Sequence, residues 1–196
     1  FKKKPFQKNN FVISLFPGSR KQELKNHLPL FKNVIKILRQ KIKNLYFIVG
    51  LAPGCYIDLK KDLGLSAANS CLEKDNSFAA FCSSSYALVA SGTATLECAV
   101  SNTPMTVVYK TSFLSWFFTK LFINIKFASI VNILYNKPMV KELLQNKATT
   151  TNVVNQVLSF YSSRANIKYN KLVSSLSLPD IYLNTAKKIV AFRKQQ

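Results

Sequence analysis

The apolar run Tyr86-Ala87-Leu88-Val89-Ala90 passes directly into Ser91-Gly92-Thr93-Ala94-Thr95-Leu96-Glu97, and this junction limits the fold more than any other stretch. A helical pattern follows, ending near Pro104, and a second apolar run covers 105–109. Strand, tight turn, helix and strand in that order form a βαβ unit, whose strands run parallel. Small residues at the turn let the backbone approach a ligand closely. Unpaired N–H groups at a helix start attract anions. Ser91 and Thr93 add hydroxyl donors, and Glu97 lies about one helical turn beyond Thr93, where its carboxylate can accept from sugar hydroxyls. The pattern suits a nucleoside diphosphate carrying a sugar. It also suits an ordinary junction with Ser or Thr as N-cap.

A second junction has the same design. Phe11-Val12-Ile13-Ser14-Leu15-Phe16 reads as a buried strand, and Pro17-Gly18-Ser19-Arg20 closes it and opens a helix. Gly18 frees the backbone, Ser19 is placed to cap, and Arg20 offers a forked donor suited to phosphate. Two such turns after two strands are what a phosphate cleft at strand ends requires. A plain Pro-Gly turn is the simpler reading of this stretch taken alone.

Helical spacing of Leu24, Leu28, Phe31, Ile35, Leu38 and Ile42 predicts an amphipathic helix over 20–43. A buried strand is expected over 45–51, followed by short helices over 56–63 and 76–83, with Gly50 and Pro53 available to shape a ligand-facing loop. Further helices are expected over 152–161 and 166–176. The alternation predicts an α/β fold, a parallel sheet with helices on both faces. His27 falls inside the first long helix and reads as structural. Cys55, Cys71, Cys82 and Cys98 form no C-x-x-C pair, so no metal site is expected and reduced thiols are the default.

Residues 111–127 break the pattern. Trp116, Phe117 and Phe118 stand among Phe113, Leu114, Leu121 and Phe122, with Lys110, Lys120 and Lys126 around them. A short aromatic helix with a basic fringe suits a membrane interface, with Trp116, Phe117, Phe118 and Lys120 as contacts. It suits equally a helix packed on the sheet or on a second copy. No run reaches the ~18 apolar residues that a spanning helix needs. The 28 basic and 8 acidic residues give a formal charge of +20. Abundant Lys, Asn, Ile and Phe point to AT-rich coding as one source of that charge. Nucleic acid, an anionic membrane and a phosphorylated substrate could each exploit it. No nucleic-acid-binding motif is present, so nucleic acid is not an expected partner.

Together these motifs resemble bacterial lipid-A-disaccharide synthases. Leu15-Phe16-Pro17-Gly18-Ser19-Arg20-Lys21-Gln22-Glu23 is similar to the family's LLPGSR-x-x-E segment, and residues 89–97 are similar to its ASGTATLE segment. Residues 103–110, 129–134 and 140–145 resemble the segments TPMVVVYR, SLPNILA and VPELLQ. Val131 replaces the family's Pro before Asn132, and Tyr135-Asn136 replaces its Ala-Gly pair.

The resemblance implies a Rossmann-like C-terminal domain of a GT-B glycosyltransferase. On that basis 1–10 is a linker remnant, 11–178 the UDP-sugar-binding domain including the membrane-facing stretch 111–127, and 179–196 a C-terminal helix. The implied reaction joins UDP-2,3-diacylglucosamine to 2,3-diacylglucosamine 1-phosphate, giving the lipid A disaccharide 1-phosphate and UDP. Gly18, Ser19, Arg20, Ser91, Gly92, Thr93, Glu97 and Asn132 are the implied donor-binding residues. The catalytic base is expected in an N-terminal half, supplied as a partner; a homo-oligomer is a further possible partner. No cofactor or metal is implied. The implied location is cytoplasmic, peripheral on an anionic inner-membrane surface, and the first residues lack the apolar core of a signal peptide. Two other readings fit the residues: another UDP-sugar transferase of the same fold, or a non-catalytic basic membrane-binding fragment.

Overall fold

Continuous apolar runs, rather than alternating ones, mark strands covered on both faces. Phe11–Phe16 (β1), Leu45–Gly50 (β2), Tyr86–Val89 (β4) and Met105–Tyr109 (β5) are such runs, and nearly every residue in them is buried. The computed structural model describes residues 6–111, 126–163 and Tyr169. The stretch around Trp116, Phe117, Phe118 and Lys120, the helix expected over 166–176 and the C-terminal helix over 179–196 lie outside the described residues.

Two further strands, Ser70–Glu73 (β3) and Lys141–Leu144 (β6), complete a six-stranded sheet in the order β3-β2-β1-β4-β5-β6. Every pairing is parallel. This is the doubly wound order whose direction of winding reverses between β1 and β4. Phe16 pairs with Val89 at that reversal, so the turns after β1 and β4 open side by side.

Side chains alternate across β1. Phe11, Ile13 and Leu15 pack with Phe31, Val34, Ile35 and Leu38 of helix α1 (Lys21–Lys41) and Val153, Val154 and Val157 of the long C-terminal helix of the described region, Thr150–Ser163. Val12 faces the opposite side, with Tyr46, Ile48 and Ala80. The short helix α2 (Leu59–Leu63) packs beside α1 through Leu63. On the opposite face α3 (Ser77–Cys82), α4 (Ala94–Val100) and α5 (Ile130–Tyr135) complete the connections, and Phe81, Val89, Cys98, Val107 and Val131 form a second core. Pro29 lies inside α1, where it removes a backbone hydrogen bond at a cost of about 3 kcal/mol. The helix persists because its apolar face is buried from Leu24 to Leu38.

Candidate functional site

At the reversal point the strand ends enclose an open cleft of about 520 Å³. Gly18, Ser19, Arg20 and Glu23 form one wall, and Ser91, Gly92, Thr93, Ala94 and Glu97 the facing one. The end of β2 with the loop that follows it (50–53) and the end of β3 with its loop (73–75) close the far end, with Ser77 beside them. Seven of the eight residues singled out from the sequence therefore meet in one place.

The first wall is built differently from the sequence expectation. Ser19 does not cap α1; Arg20 occupies the N-cap position. The capping group is Glu23, whose Oε2 accepts from the backbone N–H of Ser19 at 2.9 Å and of Arg20 at 3.3 Å. Gly18 has φ of +111°, and a side chain there would collide with Glu23. Glu23 thus takes the backbone donors of Ser19 and Arg20, and the charged donor left for a ligand is the Arg20 guanidinium. That group is 80% exposed and 3.9 Å from Glu23 Oε1, an ion pair too solvated to hold it firmly. Cys55 Sγ donates to the Ser19 carbonyl at 3.0 Å, tying the loop after β2 to the same turn.

The second wall has no such internal anion. Gly92 has φ of +152°, open to Gly at no steric cost. Thr95 Oγ1 donates to the Gly92 carbonyl at 2.7 Å and fixes the turn. At the start of α4 the Thr95 and Leu96 N–H groups bond back to the Gly92 and Thr93 carbonyls, which leaves those of Thr93 and Ala94 to face a ligand. Ser91 contributes backbone rather than a free donor, since its hydroxyl donates to the Ala128 carbonyl at 2.8 Å. Glu97 faces the cleft from the first turn of α4, and Ser77 Oγ donates to its Oε2.

Asn132 stands apart. It is 1% exposed, and its amide is consumed internally: Nδ2 donates to the Val140 carbonyl at 2.9 Å and to Glu142 Oε1 at 2.7 Å, and Oδ1 accepts from the Val140 N–H at 2.8 Å. Glu142 in turn accepts from the N–H groups of Ala128 and Ser129. Asn132 therefore folds the 128–140 loop, which receives the Ser91 hydroxyl, and does not reach the cleft.

Several lining residues escaped the sequence reading. Phe16 forms part of the wall and stacks on Phe81 with ring centroids 4.3 Å apart. A side chain at Gly50 would overlap the Phe16 ring, so the glycine is what lets that ring lie at the cleft. Glu73 Oε1 accepts from the Asp75 and Asn76 N–H groups and shapes the far end. These residues follow β3, a strand with no apolar run to announce it. Gly50 and Pro53, expected from the sequence to shape a ligand-facing loop, both line the cleft. Among the described residues no cluster of His, Cys, Asp or Glu is placed to hold a metal ion, and no helix is long and apolar enough to cross a membrane.

Fold and cleft together define an α/β domain of the GT-B glycosyltransferase type. Solved structures of the same fold include the spinosyn rhamnosyltransferase SpnG (TM-score 0.61, 10% identity, 92% of this chain and 46% of that one) and the glycosyltransferase SnogD from Streptomyces nogalater (TM-score 0.58, 17% identity, 96% and 45%). A UDP-GlcNAc 2-epimerase from Neisseria meningitidis bound to UDP-GlcNAc matches with a TM-score of 0.55 at 17% identity, over 97% of this chain and 46% of that one. The model of the lipid-A-disaccharide synthetase family matches residues 2–188, and the chain belongs to that family. Lipid-A-disaccharide synthase 1 of Legionella pneumophila (strain Lens) is 35% identical over 157 residues, which are 79% of this chain and 41% of the relative. The synthase of Rickettsia prowazekii (strain Madrid E) is 32% identical over 168 residues, 85% of this chain and 44% of the relative. The chain thus spans about two-fifths of the length of these relatives.

Proposed function

We propose that the chain is the C-terminal, donor-binding part of a lipid-A-disaccharide synthase, with 11–178 as the UDP-sugar domain. The observation that carries this reading is the meeting of the Arg20 turn and the Gly92 turn in one cleft of a chain from this family. Arg20 pairs with the diphosphate of UDP-2,3-diacylglucosamine. The N–H groups that open α4 at Thr93 and Ala94 hold the same phosphates, and Glu97 accepts from the ribose hydroxyls. Asn132 acts at a distance, through the loop that anchors Ser91. The neighbouring fold that carries UDP-GlcNAc in the Neisseria epimerase is consistent with this donor class.

In the reaction, a hydroxyl oxygen of 2,3-diacylglucosamine 1-phosphate attacks the anomeric carbon of the donor. The bond from that carbon to UDP breaks, UDP leaves with the electron pair, and the hydroxyl proton passes to a base. Arg20 and the start of α4 stabilise charge on the departing UDP. The base belongs to the remaining part of the enzyme, the partner this domain requires.

Titration calorimetry is expected to show UDP bound in preference to ADP and GDP. Equal affinity for the three, or none, removes the donor-site assignment. Mixing the chain with the remaining part of the enzyme and both sugar substrates is the corresponding activity assay, read as UDP release.

A cytoplasmic location on the anionic inner-membrane surface follows from the acylated substrates and the charge of +20. Vesicles containing anionic lipid should bind the chain. Each lysine near the surface contributes about 1 kcal/mol, a term that salt screens. Replacing Trp116, Phe117 and Phe118 by Ser should remove the salt-resistant part of binding. A folded triple variant that still binds at high salt excludes insertion of these aromatics.

A further inference from the structure

His27 sits between the donor turn and the sheet. It is fully buried in α1, and both ring nitrogens are engaged. Nδ1 lies 2.6 Å from the Pro17 carbonyl, and Nε2 accepts from the Lys110 backbone N–H at 2.9 Å. A carbonyl only accepts and an amide only donates, so the ring is neutral and carries its proton on Nδ1. Asn26 beside it donates to the Lys110 carbonyl at 3.1 Å. The backbone just before Gly18 and the exit of β5 are therefore fastened to each other through one imidazole.

We propose that His27 is a positioning residue for the donor turn, coupling the placement of residues 17–20 to the end of β5, and that protonation of its ring releases the coupling. The inference rests on the donor-site reading given above. A second proton would sit on Nε2 and point at the Lys110 N–H, donor against donor. The link to Lys110 then breaks, and the turn that presents Arg20 loses its tie to the end of β5.

Among the described residues, the charged and titratable groups facing the ring are Glu23, one turn back on α1, and Lys110 and Tyr109 at the end of β5. Burial pushes the imidazole below its ordinary pKa of 6.5. The hydrogen bond to Pro17 and the charge of Glu23 oppose that fall, and Lys110 adds to it. The sign follows directly. The neutral, coupled form is complete above the unfolded value of 6.5 and is lost as pH falls through the lower folded value.

The test uses the full chain and two measurements. In ligand-free protein, two-dimensional NMR follows the amides of Gly18, Ser19, Arg20 and Lys110 from about pH 8 to about pH 5, spanning the ordinary histidine range. They should move together with one midpoint below 6.5, while the remote Val157 amide stays still. His27→Gln, whose amide can replace Nε2 but not titrate, should abolish that common transition. UDP affinity over the same range should fall about tenfold further in the parent than in His27→Gln, the effect of one lost hydrogen bond to the anchored turn. Protonation of UDP itself is common to both proteins.

Separate midpoints for the two sides, or superimposable affinity profiles for parent and variant, overturn the proposal. A common NMR transition without UDP binding at any pH keeps the coupling and removes the donor site instead. UDP binding without a common transition does the reverse. If His27→Gln does not fold, the parent transition alone decides.

Discussion

Arg20→Ala is expected to weaken UDP binding about 10- to 150-fold, whereas Lys21→Ala should leave it within about twofold. The difference comes from what each side chain has left to offer. At the first turn of α1 the backbone donors of Ser19 and Arg20 are already taken by Glu23. The charged donor left for a phosphate arriving at this wall is the guanidinium. A charge-assisted hydrogen bond contributes about 1.5–3 kcal/mol, which sets the range. Releasing Arg20 from Glu23 costs little, because the pair is long and the guanidinium mostly in water. Lys21 is exposed and does not line the cleft. Calorimetric titration of UDP into the two variants is the measurement. Equal, small losses would reduce residues 17–20 to a structural turn.

Asn132→Ala should act on stability instead. The substitution strips the buried Val140 N–H and carbonyl of their partners, and each such group left unpaired costs about 1–3 kcal/mol. Glu142 also loses a donor and keeps its charge. A shift of the urea midpoint corresponding to about 2–5 kcal/mol is expected. UDP affinity at low temperature, measured on the folded fraction, should change by less than about twofold. Unchanged stability with lost affinity would return Asn132 to the cleft. Asn132→Asp is the harsher companion, since it sets a second carboxylate against Glu142.

Asn132 also shows where the sequence stops being legible. Its place in a family-like segment marks it as important, but a buried amide that braces a loop and one that grips a sugar look identical in one dimension. The partner that decides the matter, Val140, lies across a turn whose shape no local pattern announces. Glu23 is a similar case. Its spacing from Arg20 is visible, yet only the structure shows its carboxylate occupying the backbone donors of Ser19 and Arg20.

The central strands and α1 were legible because burial on both sheet faces, or on one helix face, writes a strong apolar period. The edge strands were not. β3 is Ser-Cys-Leu-Glu and β6 is Lys-Glu-Leu-Leu, short and partly charged, as edges that avoid pairing with other chains tend to be. Helix ends were blurred for a related reason. The chain has 5 glycines, and Asn44, Asn102 and Asn136 take up left-handed backbone at stops where glycine is the usual signal.

Because Phe16 and Val89 are neighbours in space, the two walls of the cleft do not exist in any short piece of this chain. They meet only after β2, α2, β3 and α3 have been laid down and the chain has returned to the other side of β1. A nucleotide bound across that seam recognises the finished sheet and has nothing to hold in a partly assembled one. At a ligand concentration one hundred times Kd, such selective binding raises the free energy of unfolding by about 2.7 kcal/mol. On the donor-site reading, donor supply therefore protects this domain against unfolding and proteolysis.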